Sequence, residues 1–127
     1  MQLRTRVKIC GITSVKDAKV VFDAGADAIG LVFYAPSPRH VEVSQAAEIA
    51  QSVPAFVTKT ALFVNPDEAY IKKVVDNVDI DLLQFHGDES AEFCRKMTQR
   101  FGKTYIKAVR MQSDTDLEAL RVDYNDA

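Results

Sequence analysis

The chain has 127 residues, of which 47% are hydrophobic and 27% are charged, and its formal net charge is −2. This composition is typical of a single globular domain and excludes a collagen-like or disordered chain. The sixteen basic and eighteen acidic residues form no runs, which argues against duplex nucleic acid or a membrane surface as a partner. No apolar segment approaches the length of a membrane span, and residues 1–8 hold no apolar leader, so we expect a cytoplasmic protein.

Five apolar, β-rich segments recur along the chain, and an amphipathic segment follows each of them. The predicted strands cover residues 7–10, 28–34, 56–64, 81–86 and 105–109. Their starts are roughly 25 residues apart, which is the length of one strand, one helix and their loops. The sequence therefore predicts a repeated βα unit within one domain, residues 1–127.

Capping residues mark the ends of the predicted helices. In chain order these are Ser14 and Gly25 for the first helix, Asn65 and Pro66 at the start of the third, Asp88 and Gly102 for the fourth, and residues 113–116 at the start of the fifth. The second helix is less clearly marked, because its apolar face is mostly alanine, and is predicted from Ser44 to about Ser52.

Two α/β architectures fit strands that alternate with helices. An open, doubly wound sheet of five strands would be complete within 127 residues. A (β/α)₈ TIM barrel typically needs roughly 200 residues or more, so the chain would supply about the first five of its eight units. Length alone favours the open sheet, and the motifs favour the barrel.

Reactive side chains lie on or directly after four of the predicted strands. In barrel enzymes the active site lies at the carboxyl ends of the strands. Cys10 ends the first strand, and Lys8 points to the same face. Arg39 lies in a two-proline loop after the second strand, where its planar fork suits a carboxylate. His86 ends the fourth strand, and Lys107 lies in the fifth; these five are the candidate site residues.

The two cysteines, Cys10 and Cys94, are too few for a disulfide framework and lack the spacing of a zinc site. Cys94 lies on a helix face near Phe93 and Met97, so we expect it to pack in the core. Taken alone, Cys10 is also compatible with a small buried side chain of no chemical role.

Four motifs occur in a fixed order along the chain: KICGIT at residues 8–13, GADAIGLVFYAPSPRHV at residues 25–41, FVN at residues 63–65 and LQFHGDE at residues 83–89. Together they resemble the phosphoribosylanthranilate isomerase family of tryptophan biosynthesis. The resemblance covers almost the whole chain. It implies a TIM barrel, a phosphorylated small-molecule substrate, and no metal or organic cofactor.

The resemblance also implies a reaction, the Amadori rearrangement of N-(5-phosphoribosyl)anthranilate to 1-(2-carboxyphenylamino)-1-deoxyribulose 5-phosphate. In the family a carboxylic acid protonates the furanose ring oxygen, the ring opens to an iminium, and a thiolate removes the C2 proton. Cys10 matches this general base, and Lys8 is a candidate to stabilise its thiolate. Arg39 matches the residue that faces the anthranilate carboxylate, and His86 matches a histidine near the substrate. Lys8 and Lys107 are further candidates for substrate binding.

Two parts of the family pattern have no match in these residues: the aspartate acid that ends the sixth strand, and the phosphate loops after strands seven and eight. Asp126 precedes the expected sixth strand, so we do not predict it to be the acid. We expect the chain alone to be inactive, and its open sheet edges to favour self-association or pairing with a missing C-terminal part. The alternatives are a non-catalytic βα fragment, an open-sheet binding module, or another sugar-phosphate TIM-barrel isomerase or epimerase.

Overall fold

A computed structural model describes residues 3–127, so Met1 and Gln2, part of the stretch examined for a leader, lie outside it. The strands are β1 (Lys8–Cys10), β2 (Ala28–Val32), β3 (Thr58–Phe63), β4 (Leu82–Phe85) and β5 (Tyr105–Lys107). The helices are α1 (Val15–Asp23), α2 (Val43–Ser52), α3 (Glu68–Asn77), α4 (Ala91–Phe101) and α5 (Leu117–Asp123). All five predicted units are confirmed, and the strands are shorter than predicted because their ends run into loops. Within residues 3–127, no helix is both long and apolar enough to cross a membrane.

The strands lie side by side in the order in which they occur in the chain, and each neighbouring pair is parallel. A doubly wound sheet reverses its direction of growth at a switch point, whereas a barrel adds every strand on the same side. The order β1-β2-β3-β4-β5 therefore excludes the open doubly wound alternative. It matches five consecutive units of a TIM barrel.

The register divides the strand side chains between two faces of the sheet. One face packs against the helices and holds the core, including the row of Phe33, Phe63 and Phe85, whose neighbouring ring centroids are 5.7 and 6.3 Å apart. We call the opposite one the inner face, since it corresponds to the interior of a barrel. Cys10 is paired with Gly30 on this inner face.

Side-chain caps start four of the five helices, each accepting a hydrogen bond from an amide three residues on. The capping residues are Ser14, Asp67, Ser90 and Asp116. Gly102 ends α4 in the left-handed conformation, as predicted. Two predicted starts are wrong: α3 begins after Asp67 rather than Asn65, and α4 begins after Ser90 rather than Asp88. Asn65 and Asp88 hydrogen-bond to each other instead.

Asp27 connects the segment before β1 to the sheet, because its carboxylate accepts hydrogen bonds from the Arg4 guanidinium and, at 2.8 Å, from the Val7 amide. The Arg4 hydrogen bond, followed by that of Val7, lowers the pKa of Asp27 from 3.8 to about 2. The stabilisation is therefore fully present above the unfolded-state pKa and is lost as the pH falls through about 2.

We expect Asp27→Asn to lower the melting temperature at neutral pH, and the difference from the wild type to shrink as the pH falls from about 4 towards 2. Thermal unfolding at a series of pH values measures this difference. A difference that stays constant over the range would contradict the assignment.

Candidate active site

Cys10 ends β1 with its side chain on the inner face, opposite Gly30 of β2. A Cβ atom at Gly30 would lie 2.8 Å from the Cys10 sulfur, so a glycine is needed there to make room for the thiol. Cys10 is partly exposed, whereas Cys94 is buried in the helix-side core, as predicted. Burial raises the pKa of Cys94 to about 11. The accessible thiol therefore lies at the carboxyl end of β1.

This difference in accessibility predicts where a thiol reagent reacts. In the folded chain, iodoacetamide is expected to modify Cys10 rapidly and Cys94 only on unfolding, because a buried thiol with a raised pKa supplies little thiolate. Mass spectrometry of peptides from the alkylated chain measures both sites. Cys10→Ser is expected to lose the rapid phase, and Cys94→Ala is expected to keep it. Rapid alkylation of Cys94 in the native chain would contradict the described core.

Arg39 reaches from the loop after β2 to the end of β1, where its Nη1 donates to the Cys10 carbonyl oxygen at 2.9 Å. Gly11 makes this approach possible: its φ is +86°, and a Cβ atom there would lie 2.5 Å from the Arg39 side chain. One guanidinium nitrogen is thus held by the backbone, and the others make no hydrogen bond within residues 3–127. A guanidinium has five N–H donors, so a carboxylate can still be bound.

His86 directly follows β4, and its amide donates to the Phe63 carbonyl at 2.9 Å. Its exposed side chain lines a cleft of about 620 Å³ between the loops that follow β3, β4 and β5. Cys10 and Arg39 do not line this cleft, since β2 and β3 lie between β1 and β4. The structure therefore places these three predicted residues at the same edge of the sheet, in two separate groups.

Lys8 and Asp126 lie towards the amino ends of the strands. Lys8 is on the inner face, as predicted, but it lines an opening with Arg6 and Phe56 at the end of the sheet remote from His86. Its role, at the Cys10 thiolate or in substrate binding, stays a prediction. Asp126 accepts a hydrogen bond from the hydroxyl of Tyr105, the first residue of β5, at 2.6 Å. That contact keeps the Asp126 carboxylate away from the Cys10 edge.

Lys107 lines the same cleft as His86, but its ammonium is already paired within the chain. Its register partner is Phe85, so it lies on the side of the sheet that faces the helices. Its Nζ donates to Glu89 Oε1 at 2.9 Å and to the Gly87 carbonyl at 2.5 Å, and it lies 5.7 Å from the centroid of the Tyr124 ring. Only 7% of the Lys107 side chain is exposed. The ammonium is therefore held in a buried ion pair with Glu89, and direct substrate binding by Lys107 stays a prediction.

Sequence reasoning missed the roles of Asn65 and Glu89, although both lie within the quoted motifs. Glu89 is buried and accepts hydrogen bonds from the amides of Asn65 and Gly87. Both residues follow shortly after neighbouring strands, β3 and β4, and this placement could have indicated that they lie close together. Within residues 3–127, no group of three histidine, cysteine, aspartate or glutamate side chains is arranged to hold a metal ion.

The sequence of the chain is similar to one known family of enzymes. Residues 7–126 match the family model described as N-(5'-phosphoribosyl)anthranilate isomerase. The chain is 53% identical over 122 residues to the isomerase of that name from Alcanivorax borkumensis, covering 96% of the chain and 54% of the relative. It is 50% identical to the one from Nitrosococcus oceani, covering 98% of the chain and 59% of the relative.

Two crystal structures are similar to the fold described above. The phosphoribosylanthranilate isomerase from Thermotoga maritima superposes with a TM-score of 0.86 at 39% identity, over 92% of this chain and 56% of that one. A complex of such an isomerase with reduced 1-(o-carboxyphenylamino)-1-deoxyribulose 5-phosphate gives the same TM-score and identity, over 92% of this chain and 59% of that one. The chain thus spans a little over half the length of these relatives.

Proposed function

Because the chain belongs to the N-(5'-phosphoribosyl)anthranilate isomerase family, we propose that it supplies the general base and the carboxylate-binding residue for the Amadori rearrangement in tryptophan biosynthesis. The observation that carries this proposal is the accessible Cys10 thiol at the carboxyl end of β1, beside a backbone-anchored Arg39. Both residues lie at the edge of the sheet where barrel enzymes hold their active sites.

The reaction divides between these residues and others of the barrel. Arg39 binds the anthranilate carboxylate and thereby orients the substrate. An acid protonates the furanose ring oxygen, the C1–O bond breaks, and the nitrogen lone pair forms the iminium. The Cys10 thiolate then takes the C2 proton, and the C–H electron pair forms the C1–C2 double bond of an enolamine. Protonation at C1 and loss of the proton on the C2 hydroxyl give the ketone.

Two observations support the need for further barrel units in this reaction. The relatives are nearly twice as long as the part that the chain covers. On the inner face, Thr60 Oγ1 and Gln84 Oε1 are buried without a hydrogen-bond partner within residues 3–127, and buried polar atoms in proteins nearly always have one. We therefore propose that the 127 residues alone have no substantial activity. We also propose that the reaction uses no cofactor, because proton transfers account for every step.

The assembly proposed for the chain follows from its strand edges, and the proposed location follows from its membership of a family of biosynthetic isomerases. β1 and β5 each have one strand neighbour within residues 3–127, and an unpaired strand edge favours pairing with another chain. A Thermotoga maritima relative is described as dimeric. We propose self-association, or pairing with further barrel units, and a cytoplasmic location. Analytical ultracentrifugation of the 127-residue chain tests the first of these.

The decisive experiment joins residues 1–127 to the part of the Alcanivorax borkumensis isomerase that the chain does not match. We call this protein the chimera and use the intact relative as its control. The chimera is expected to convert phosphoribosylanthranilate in vitro, and the chain alone is not. A folded but inactive chimera would contradict the proposed function, and an active isolated chain would contradict the need for further units. Turnover of a pentose phosphate in place of this substrate would favour the epimerase alternative.

A further inference from the structure

A buried carboxylate joins the loops that follow β3 and β4. Glu89 Oε2 accepts from the Asn65 amide at 2.8 Å, and Glu89 Oε1 accepts from the Gly87 amide at 2.9 Å. In return, Asn65 Oδ1 accepts from the Asp88 amide at 2.7 Å. Each loop therefore contributes a side chain that binds the backbone of the other. We call this set of contacts between Asn65 and residues 87–89 the loop clasp.

The backbone conformation is adapted to the loop clasp at two positions. Asn65 has a φ of +48°, which asparagine tolerates better than most residues. A Cβ atom at Gly87 would lie 2.5 Å from Asn65 Oδ1 and 2.9 Å from the Asn65 nitrogen. A glycine is therefore required where the two loops meet.

The clasp is supported from the helix side by Lys107 and Tyr124. The Lys107 ammonium bonds both to the Glu89 carboxylate and to the Gly87 carbonyl, so it neutralises the buried charge and fixes the loop at a second point. The Tyr124 hydroxyl donates to the Glu89 carbonyl at 2.7 Å. Lys107 of β5 and Tyr124, which follows α5, thus hold the loop after β4 in one conformation.

We propose that Glu89 is a positioning residue for the isomerase reaction, acting through the loop clasp to hold His86 at the active-site edge. His86 immediately precedes the clasped residues, and its own amide extends the ladder to β3, so its backbone is restrained on both sides. The inference rests on the proposed function in one respect, namely that His86 lies beside the substrate. Displacement of a positioned group by about 1 Å can reduce the rate on the order of 100-fold.

Amide hydrogen exchange on the 127-residue chain tests the clasp itself. The Asn65, Gly87 and Asp88 amides are expected to be protected, although they lie in loops. Glu89→Gln retains one acceptor oxygen in place of two, so protection of the Asn65 or Gly87 amide is expected to fall. Glu92→Gln, on the exposed first turn of α4, is the matched control and is expected to change neither. Unprotected amides in the wild type would overturn the clasp.

Kinetics of the chimera test the positioning role. Glu89→Gln is expected to lower kcat/KM by about 10- to 100-fold, and Glu92→Gln by less than about twofold. A double-mutant cycle with His86→Ala is expected to be strongly non-additive, because both changes remove the same contribution. Additive effects, or a Glu89→Gln rate equal to that of Glu92→Gln, would overturn the proposal. An inactive parent chimera would overturn the proposed function instead, and the exchange result would still decide whether the clasp forms.

Discussion

Replacing Cys10 by alanine in the chimera is expected to lower kcat by about 10²- to 10⁴-fold, the usual contribution of a general base. The thiol is accessible, faces the inner side of the sheet, and has room only because Gly30 lacks a side chain. Alanine removes the proton acceptor without adding volume, so the change acts on the proton-transfer step. KM is expected to change little, because the interaction is made mainly in the transition state.

Cys94→Ala is the matched control for this prediction, since it removes the other thiol from the helix-side core. It is expected to leave kcat within about threefold and to lower stability by about 1 kcal/mol. Steady-state kinetics of both variants, with circular dichroism to establish folding, make the comparison. A folded Cys10→Ala chimera that keeps more than a tenth of the parent kcat would show that another group is the base.

Lys107→Met is expected to lower the free energy of unfolding of the chain by about 3–5 kcal/mol, the usual loss when one partner of a buried ion pair is removed. The two side chains are only 7% and 2% exposed, so the remaining Glu89 carboxylate would be left in the interior without its counter-charge. Glu89→Gln leaves the opposite charge unpaired and is expected to cost a similar amount. The double variant is expected to be more stable than the sum of the single losses implies.

Lys96 and Glu68 provide the control, because their ion pair has the same residue types at 69% and 37% side-chain exposure. Lys96→Met is expected to change the free energy of unfolding by about 0–1 kcal/mol, as is usual for surface pairs. Urea unfolding of the four variants and the wild type measures these free energies of unfolding. Equal small losses for Lys96→Met and Lys107→Met would show that the Lys107 ion pair is not buried in solution.

The repeated βα unit was predictable from the sequence because each element carries a local pattern. Apolar runs predicted the five strands, and Ser14, Gly102 and Asp116 correctly marked helix ends. Strand order was not predictable from periodicity, since an open sheet and a barrel share the same units. The family motifs decided between them, and the sequential strand order agrees with that decision.

The candidate site was only partly predictable, because strand register and hydrogen-bond partners between loops are set only in the folded chain. The positions of Cys10 at the end of β1 and of Arg39 in the loop after β2 were predictable from the strand pattern, and their roles in the reaction stay predictions. The side of the sheet on which Lys107 lies was not predictable, because it depends on the register of β5 against β4, where Lys107 pairs with Phe85. Asn65 looked like a helix cap because it precedes a proline. Its oxygen instead binds the Asp88 amide of a neighbouring loop, a contact that only the folded chain brings about.

The most direct test of the central claim is a crystal structure of the chimera with the reduced product 1-(o-carboxyphenylamino)-1-deoxyribulose 5-phosphate. We predict that the Cys10 sulfur lies in van der Waals contact with C2 of the ligand, and that the Arg39 guanidinium binds the ligand carboxylate. A ligand bound at this edge with a different basic group at C2, and with Cys10 out of contact, would contradict the assignment of Cys10 as the base.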